Sequence, residues 1–155
     1  MNILLIDQVV ADFQVLATGN KSVQLSDFRG KKLILYFYPK DNTPGCTLEG
    51  IGFRDNYAQF KELNTEILGV SRDTLKSHEV FKAKQAFPFD LLSDTEEKLC
   101  ELFAVIKMKN MYGKQVRGIE RSTFLINESG VLIKEWRKVQ VKNHMSEVLG
   151  FLQAI

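Results

Sequence analysis

The run Leu33-Ile34-Leu35-Tyr36-Phe37-Tyr38 holds no charged side chain and no apolar–polar alternation. Alternation marks a strand with one wet face, whereas an unbroken apolar run marks one buried on both faces at the centre of a covered sheet. Pro39 stops the run, because it has no N–H to give the next ladder bond. After a short polar turn, Thr43-Pro44 reads as an N-cap followed by proline at the first helical position. Cys46 then falls in the first turn of a helix, where unpaired backbone N–H groups and the helix dipole favour negative charge. The thiolate is the reactive form of cysteine.

The rest of the chain supplies cover for such a strand. Residues 13–16 and 23–25 are short strand candidates around Thr18-Gly19-Asn20, an expected N-terminal hairpin. Ser26-Asp27-Phe28-Arg29-Gly30 reads as a capped turn closed by glycine. In residues 44–63, Phe53, Tyr57 and Phe60 step at helical spacing, while Gly50 and Gly52 each weaken the early turns by up to about 1 kcal/mol. The pair marks either a first turn that can unwind or a site of close packing. Residues 66–71 form the next strand, and Asp73 or Thr74 caps a helix that Pro88 stops. Leu91-Leu92 is a short buried strand, and residues 93–97 hold two overlapping capping-box patterns before Leu99, Cys100, Leu102 and Phe103. Residues 106–120 read as an irregular loop around Tyr112-Gly113. Residues 123–126 and 131–136 flank a turn and predict a hairpin, and Asn143 caps a final amphipathic helix. Strands alternating with helices and ending in a hairpin plus helix predict an α/β fold, a central mixed sheet flanked by helices. With no repeat or linker, residues 1–155 read as a single domain.

Composition narrows the function classes. A formal net charge of +2 gives no pull toward nucleic acid or an anionic membrane. Two cysteines in 155 residues are no disulfide framework, so a reducing compartment is expected. His78 and His144 show no metal-ligand spacing. The run Ile3-Leu4-Leu5-Ile6 is shorter than a signal peptide, which makes a cytoplasmic protein the expectation.

Each candidate side chain has a plainer role beside the chemical one. Cys46 is either a nucleophile or a small buried hydrophobe. Thr43 caps a helix whether or not its hydroxyl donates to an incoming oxygen. Pro39 ends a strand or excludes water from a pocket. Arg121 brings a permanent positive charge to the sulfur or makes a surface ion pair.

Pro39-Lys40-Asp41-Asn42-Thr43-Pro44-Gly45-Cys46 matches the Pro-x-x-x-Thr-x-x-Cys signature of peroxiredoxins. With Thr47 and Phe53-Arg54-Asp55-Asn56, the chain resembles the bacterioferritin comigratory protein branch of that family. The likeness extends to Leu91-Leu92-Ser93-Asp94, Met111-Tyr112-Gly113-Lys114 and Gly118-Ile119-Glu120-Arg121-Ser122-Thr123-Phe124. The resemblance implies a thioredoxin-like fold and reduction of hydrogen peroxide or organic hydroperoxides. It implies Cys46 as the peroxidatic residue, with Thr43, Arg121 and Pro39 as its pocket and Gly45 among the backbone donors. No metal, flavin or nicotinamide is implied, since the sulfur carries the two electrons. A monomer is expected by the same analogy.

The pattern breaks at the second thiol. Many members of the branch carry a resolving cysteine five positions after the first, where this chain has Ile51, and residues 77–85 contain none. Only Cys100 remains, among core-spaced neighbours. The expectation is a one-cysteine cycle with an external thiol (glutathione, glutaredoxin or thioredoxin), and an intramolecular Cys46–Cys100 disulfide is the alternative. A non-enzymatic chaperone or binding module is the reading from another class, in which the lysines around Tyr112 attract an acidic partner.

Overall fold

The computed structural model describes residues 4–155, so Ile3, at the head of the short apolar run, lies outside them. The strands are β1 (Gln14–Ala17), β2 (Lys21–Gln24), β3 (Lys32–Phe37), β4 (Thr65–Ser71), β5 (Asp90–Ser93), β6 (Ile106–Met111), β7 (Lys114–Ile119), β8 (Ser122–Ile126) and β9 (Leu132–Trp136). The helices are α1 (Pro44–Asp55), α2 (Tyr57–Glu62), α3 (Leu75–Gln85), α4 (Lys98–Leu102) and α5 (His144–Ala154). Seven strands form one sheet in the order β2-β1-β5-β4-β3-β8-β9, and β6 with β7 forms a separate two-stranded sheet. β3 runs parallel to β4 and antiparallel to β8. The main sheet is therefore mixed.

The apolar run behaves as its composition requires. Leu33, Leu35 and Phe37 enter one core with Val70, Leu92, Cys100, Phe103 and Phe124. Ile34, Tyr36 and Tyr38 enter a second core with Cys46, Phe53, Phe60, Phe81 and Phe87. Successive side chains of a strand point to opposite faces, so the sheet separates the two cores and the two cysteines. Past the end of β3, the Tyr38 N–H still donates to the Val70 carbonyl at 3.0 Å, and Pro39 follows half-buried.

Several elements depart from the sequence reading. The helix expected over residues 44–63 is two helices, broken where the Asn56 side chain donates to the Gly52 carbonyl at 2.8 Å. Gly50 and Gly52 mark close packing. A Cβ on Gly50 would stand 2.4 Å from the Phe87 ring, and one on Gly52 2.9 Å from Met145 Cγ. Thr74, rather than Asp73, caps α3, accepting from the Ser77 N–H at 3.2 Å. The capping boxes before α4 are replaced by Asp94, whose carboxylate accepts from the Leu99 and Cys100 N–H groups at 3.1 and 2.8 Å. Asn143 precedes α5 in the left-handed region (φ 68°) without a side-chain cap bond. Residues 106–119, read as a loop, form the β6–β7 hairpin with Ile106 paired to Ile119 and Met111 to Lys114. Among the described residues, no helix is long and apolar enough to cross a membrane.

Candidate active site

β3 delivers the chain to the start of α1 through residues 38–43, and a buried polar cluster fixes that passage. The Tyr38 hydroxyl donates to one Asp41 oxygen at 2.7 Å; the other lies 2.7 Å from His78 Nδ1 and accepts from the Ser77 hydroxyl at 2.8 Å. His78 Nε2 faces the Leu92 carbonyl at 2.9 Å. Both ring nitrogens thus face acceptor oxygens. Asp73 joins by accepting from the Asp41 N–H at 2.9 Å. Asp41, Asp73 and His78 bring ligand-type atoms within 4.8 Å of one another. Linear spacing hides this cluster, and hydrogen bonds within it already engage these atoms.

Beyond the anchor, Asn42 takes a left-handed conformation (φ 65°) and the helix begins. The Thr43 hydroxyl does not cap α1 as its position suggests; it donates to the Lys40 carbonyl at 2.8 Å. No side chain caps the first turn, so its N–H groups stay available around Gly45 and Cys46. Cys46 is only 2% exposed. Thr43 and Gly45 beside it are half-buried.

Arg121, just before β8, reaches this turn from far along the chain. Its Nη2 lies 3.5 Å from Cys46 Sγ and its Nη1 donates to Glu49 Oε1 at 2.7 Å. Gly45 permits the approach, since a Cβ there would stand 3.1 Å from Nη2. Glu49 follows Cys46 by one helical turn and shares its face. It is fully buried, and Oε2 has no partner among the described residues. Burial pushes its carboxyl up to about 7 against the opposing pull of Arg121. Glu49 escaped the sequence reading although i, i+3 spacing from Cys46 was the signal for it.

The structure thus brings Cys46, Gly45 and Arg121 together next to Thr43, with Pro39 upstream. It does not bring in Cys100. That thiol is fully buried in the opposite core, and burial, then its bond to Asp94, pushes it far above the ordinary thiol range. A cavity of about 670 Å³ between β1 and the approach to α4, lined by Phe13, Leu16, Asp94 and Leu102, contains none of these side chains.

Comparison with known proteins decides what this arrangement belongs to. The model of the AhpC/TSA family matches residues 6–135. The chain belongs to that family. It is 51% identical to peroxiredoxin Bcp of Bacillus subtilis over 148 residues, covering 96% of this chain and 94% of that one. Peroxiredoxin Bcp of Xanthomonas campestris is also 51% identical, over 92% of this chain and 89% of its own. Among solved structures, the X. campestris bacterioferritin comigratory protein, studied for alkyl peroxide reduction with a trapped intermediate, superposes with a TM-score of 0.87 at 50% identity. That match covers 92% of this chain and 90% of the other. A cysteine-to-serine variant of Xylella fastidiosa PrxQ gives 0.93 at 44% identity over 99% and 98%. The expected thioredoxin-like α/β architecture and the peroxiredoxin assignment are therefore borne out, and the protein is a thiol-dependent peroxidase of the Bcp type.

Proposed function

We propose that Cys46 is the peroxidatic residue of this peroxiredoxin and that an external thiol completes the cycle. The observation that carries the reading is the Arg121 guanidinium 3.5 Å from Cys46 Sγ, at an uncapped helix N-terminus. A Cys46 thiolate attacks the terminal oxygen of a hydroperoxide, forming an S–O bond as the O–O bond breaks. The sulfur is oxidised to sulfenic acid, and the departing oxygen takes a proton and leaves as water or alcohol. Arg121 and the first-turn N–H groups are donors for the peroxide oxygens, most useful where charge grows in the transition state. The Thr43 hydroxyl, whose proton lies on the Lys40 carbonyl, keeps an oxygen lone pair to accept from the hydroperoxide O–H. Pro39 and Gly45 shape the mouth. Glu49 acts through Arg121 as a positioning residue.

A first external thiol then attacks the sulfenic sulfur and expels water, and a second releases Cys46 as the two external sulfurs join. Thioredoxin, glutaredoxin and glutathione all supply this chemistry. The Cys46–Cys100 alternative finds no support, because a disulfide needs Cα atoms within about 7 Å and these cysteines belong to cores on opposite faces of the sheet. One chain supplies every residue of the proposed site, which suits a monomer, and two free thiols suit the cytoplasm.

The test is intact mass after one equivalent of peroxide with a sulfenic-acid trap, alongside peroxide consumption by wild type, Cys46→Ser and Cys100→Ser. A single adduct on Cys46, loss of turnover in Cys46→Ser and unchanged turnover in Cys100→Ser are expected. Full activity in Cys46→Ser refutes the assignment, and a two-hydrogen loss linking the cysteines restores the internal disulfide.

A further inference from the structure

The β6–β7 hairpin carries a charge pattern that the peroxide chemistry does not use. Residues 106–119 contain Lys107, Lys109, Lys114 and Arg117 and no acidic side chain. The whole chain is only +2, so the residues outside the hairpin are net acidic by two charges. The hairpin is also apolar where it stands free. Met108 is 61% exposed, Met111 49% and Tyr112, at the tip, fully exposed. Paired residues of an antiparallel ladder share a face, which groups Lys107 with Gly118, Lys109 with Val116 and Met111 with Lys114.

This basic and apolar face runs into the proposed site. Lys109 donates to the Ile119 carbonyl, close to Arg121 in sequence. Its head passes beside Gly118, where even a Cβ would make only ordinary contact with Nζ at 3.9 Å. Burial and then Arg121 lower the proton affinity of Lys109 while the Cys46 sulfur pulls the other way, so the ammonium lies within electrostatic reach of both. Arg117 is already neutralised by Glu97, its two terminal nitrogens each 2.6 Å from a carboxylate oxygen. Among the described residues, Lys107 and Lys114 make no ion pair.

We propose that this face of the β6–β7 hairpin is the docking surface for the reductant, a thiol protein whose cysteine is ringed by acidic and apolar side chains. The inference rests on the external-thiol cycle above and names the partner it needs. Strands of this length extend about 20 Å, a platform suited to a folded partner rather than a tripeptide. Complementary charge at such a rim raises the association rate, and exposed Met111, with Tyr112 at the tip, offers adaptable contact area, whereas Met108 pairs with Arg117 on the other face.

The experiment uses the full chain, an acidic thioredoxin and, separately, dithiothreitol as reductants, with wild type and a Lys107→Gln/Lys114→Gln variant. The expected result is a KM for thioredoxin raised about three- to tenfold with kcat unchanged, the difference shrinking as salt rises toward about 0.5 M. A Met111→Ser variant raises the same KM without the salt dependence. Dithiothreitol-driven turnover stays at the wild-type rate in both variants. Unchanged thioredoxin kinetics overturn the proposal. So does a dithiothreitol rate that falls in parallel, which puts the lysines in the peroxide site itself, or a wild type served by dithiothreitol or glutathione but not by thioredoxin. A wild type inactive with every thiol instead removes the cycle on which the proposal stands.

Discussion

Replacing Glu49 by glutamine tests the buried carboxyl that holds Arg121, through stability as well as rate. In the folded chain the Glu49 carboxyl is raised by burial to about 7, against an ordinary value of 4.5. Between those values the folded state binds a proton that the unfolded state has released. Stability contributed by the protonated carboxyl is therefore complete below pH 4.5 and lost as pH rises through about 7. At 1.36 kcal/mol per unit the loss amounts to about 3 kcal/mol. His144 works in the opposite direction. Burial, then the Arg121 charge, lower it to about 4 from 6.5, so its contribution is gained as pH rises through that range. The two slopes oppose one another in wild type, and a stability curve of wild type alone hides both.

The difference between wild type and Glu49→Gln isolates the carboxyl, because His144 is common to both. Urea unfolding at pH 5 and pH 8 is the assay. The stability of wild type minus that of Glu49→Gln should fall by roughly 2–3 kcal/mol between these values, the greater part of the full term. Glutamine keeps an oxygen to accept from Arg121 Nη1, so the peroxide rate should fall by less than it does in Glu49→Ala, where nothing holds the guanidinium near Cys46. Parallel pH–stability curves for the two proteins would falsify the burial argument.

The remaining predictions concern the packing that holds the site. Asp41→Asn puts an amide N–H2 where a buried carboxylate oxygen now meets the Tyr38 hydroxyl, or the Ser77 hydroxyl and His78, and should cost about 1–3 kcal/mol in urea unfolding; unchanged stability would mean these hydrogen bonds do not hold the passage. Gly50→Ala should destabilise by about 1–2 kcal/mol, because displacing the Phe87 ring outweighs the roughly 1 kcal/mol gained in helix propensity. Gly52→Ala should cost less than Gly50→Ala in the same thermal melts, since it meets a flexible methionine rather than a ring.

What could be read in the sequence follows the range of the physics involved. The strand β3, the stop at Pro39 and the placement of Cys46 in a first helical turn are local consequences of composition and proline geometry. The β6–β7 hairpin escapes the sequence reading although Ile106-Lys107-Met108-Lys109 alternates apolar with polar, because the alternation stops at Asn110 and residues 114–117 beyond the turn carry a single apolar side chain, Val116. The break between α1 and α2 hangs on one side-chain bond from Asn56, which periodicity does not register. Thr43 and Asn143 have the right residue types for caps, yet neither makes the cap bond. Arg121 meets Cys46 across 75 residues, and the Asp41–His78 contact spans 37. The resemblance named the first contact, whereas nothing in the order of residues signalled the second.

These contacts also limit how the buried sulfur can meet a thiol. Cys46 is 2% exposed, so the proposed cycle requires its sulfenic acid to be offered outward before another molecule reduces it. Upstream, Asp41 is tied to Tyr38, Ser77 and His78. Downstream, Gly50 and Gly52 are pressed against Phe87 and Met145, which makes the glycines part of a clasp rather than a weak point. Between the two lies the uncapped first turn, entered through the left-handed Asn42. The stretch between these anchors, which the proposed cycle needs to open, is residues 42–49, on the face of the sheet away from Cys100. A small local movement suits an arriving thiol. It does not suit a disulfide through the middle of the fold.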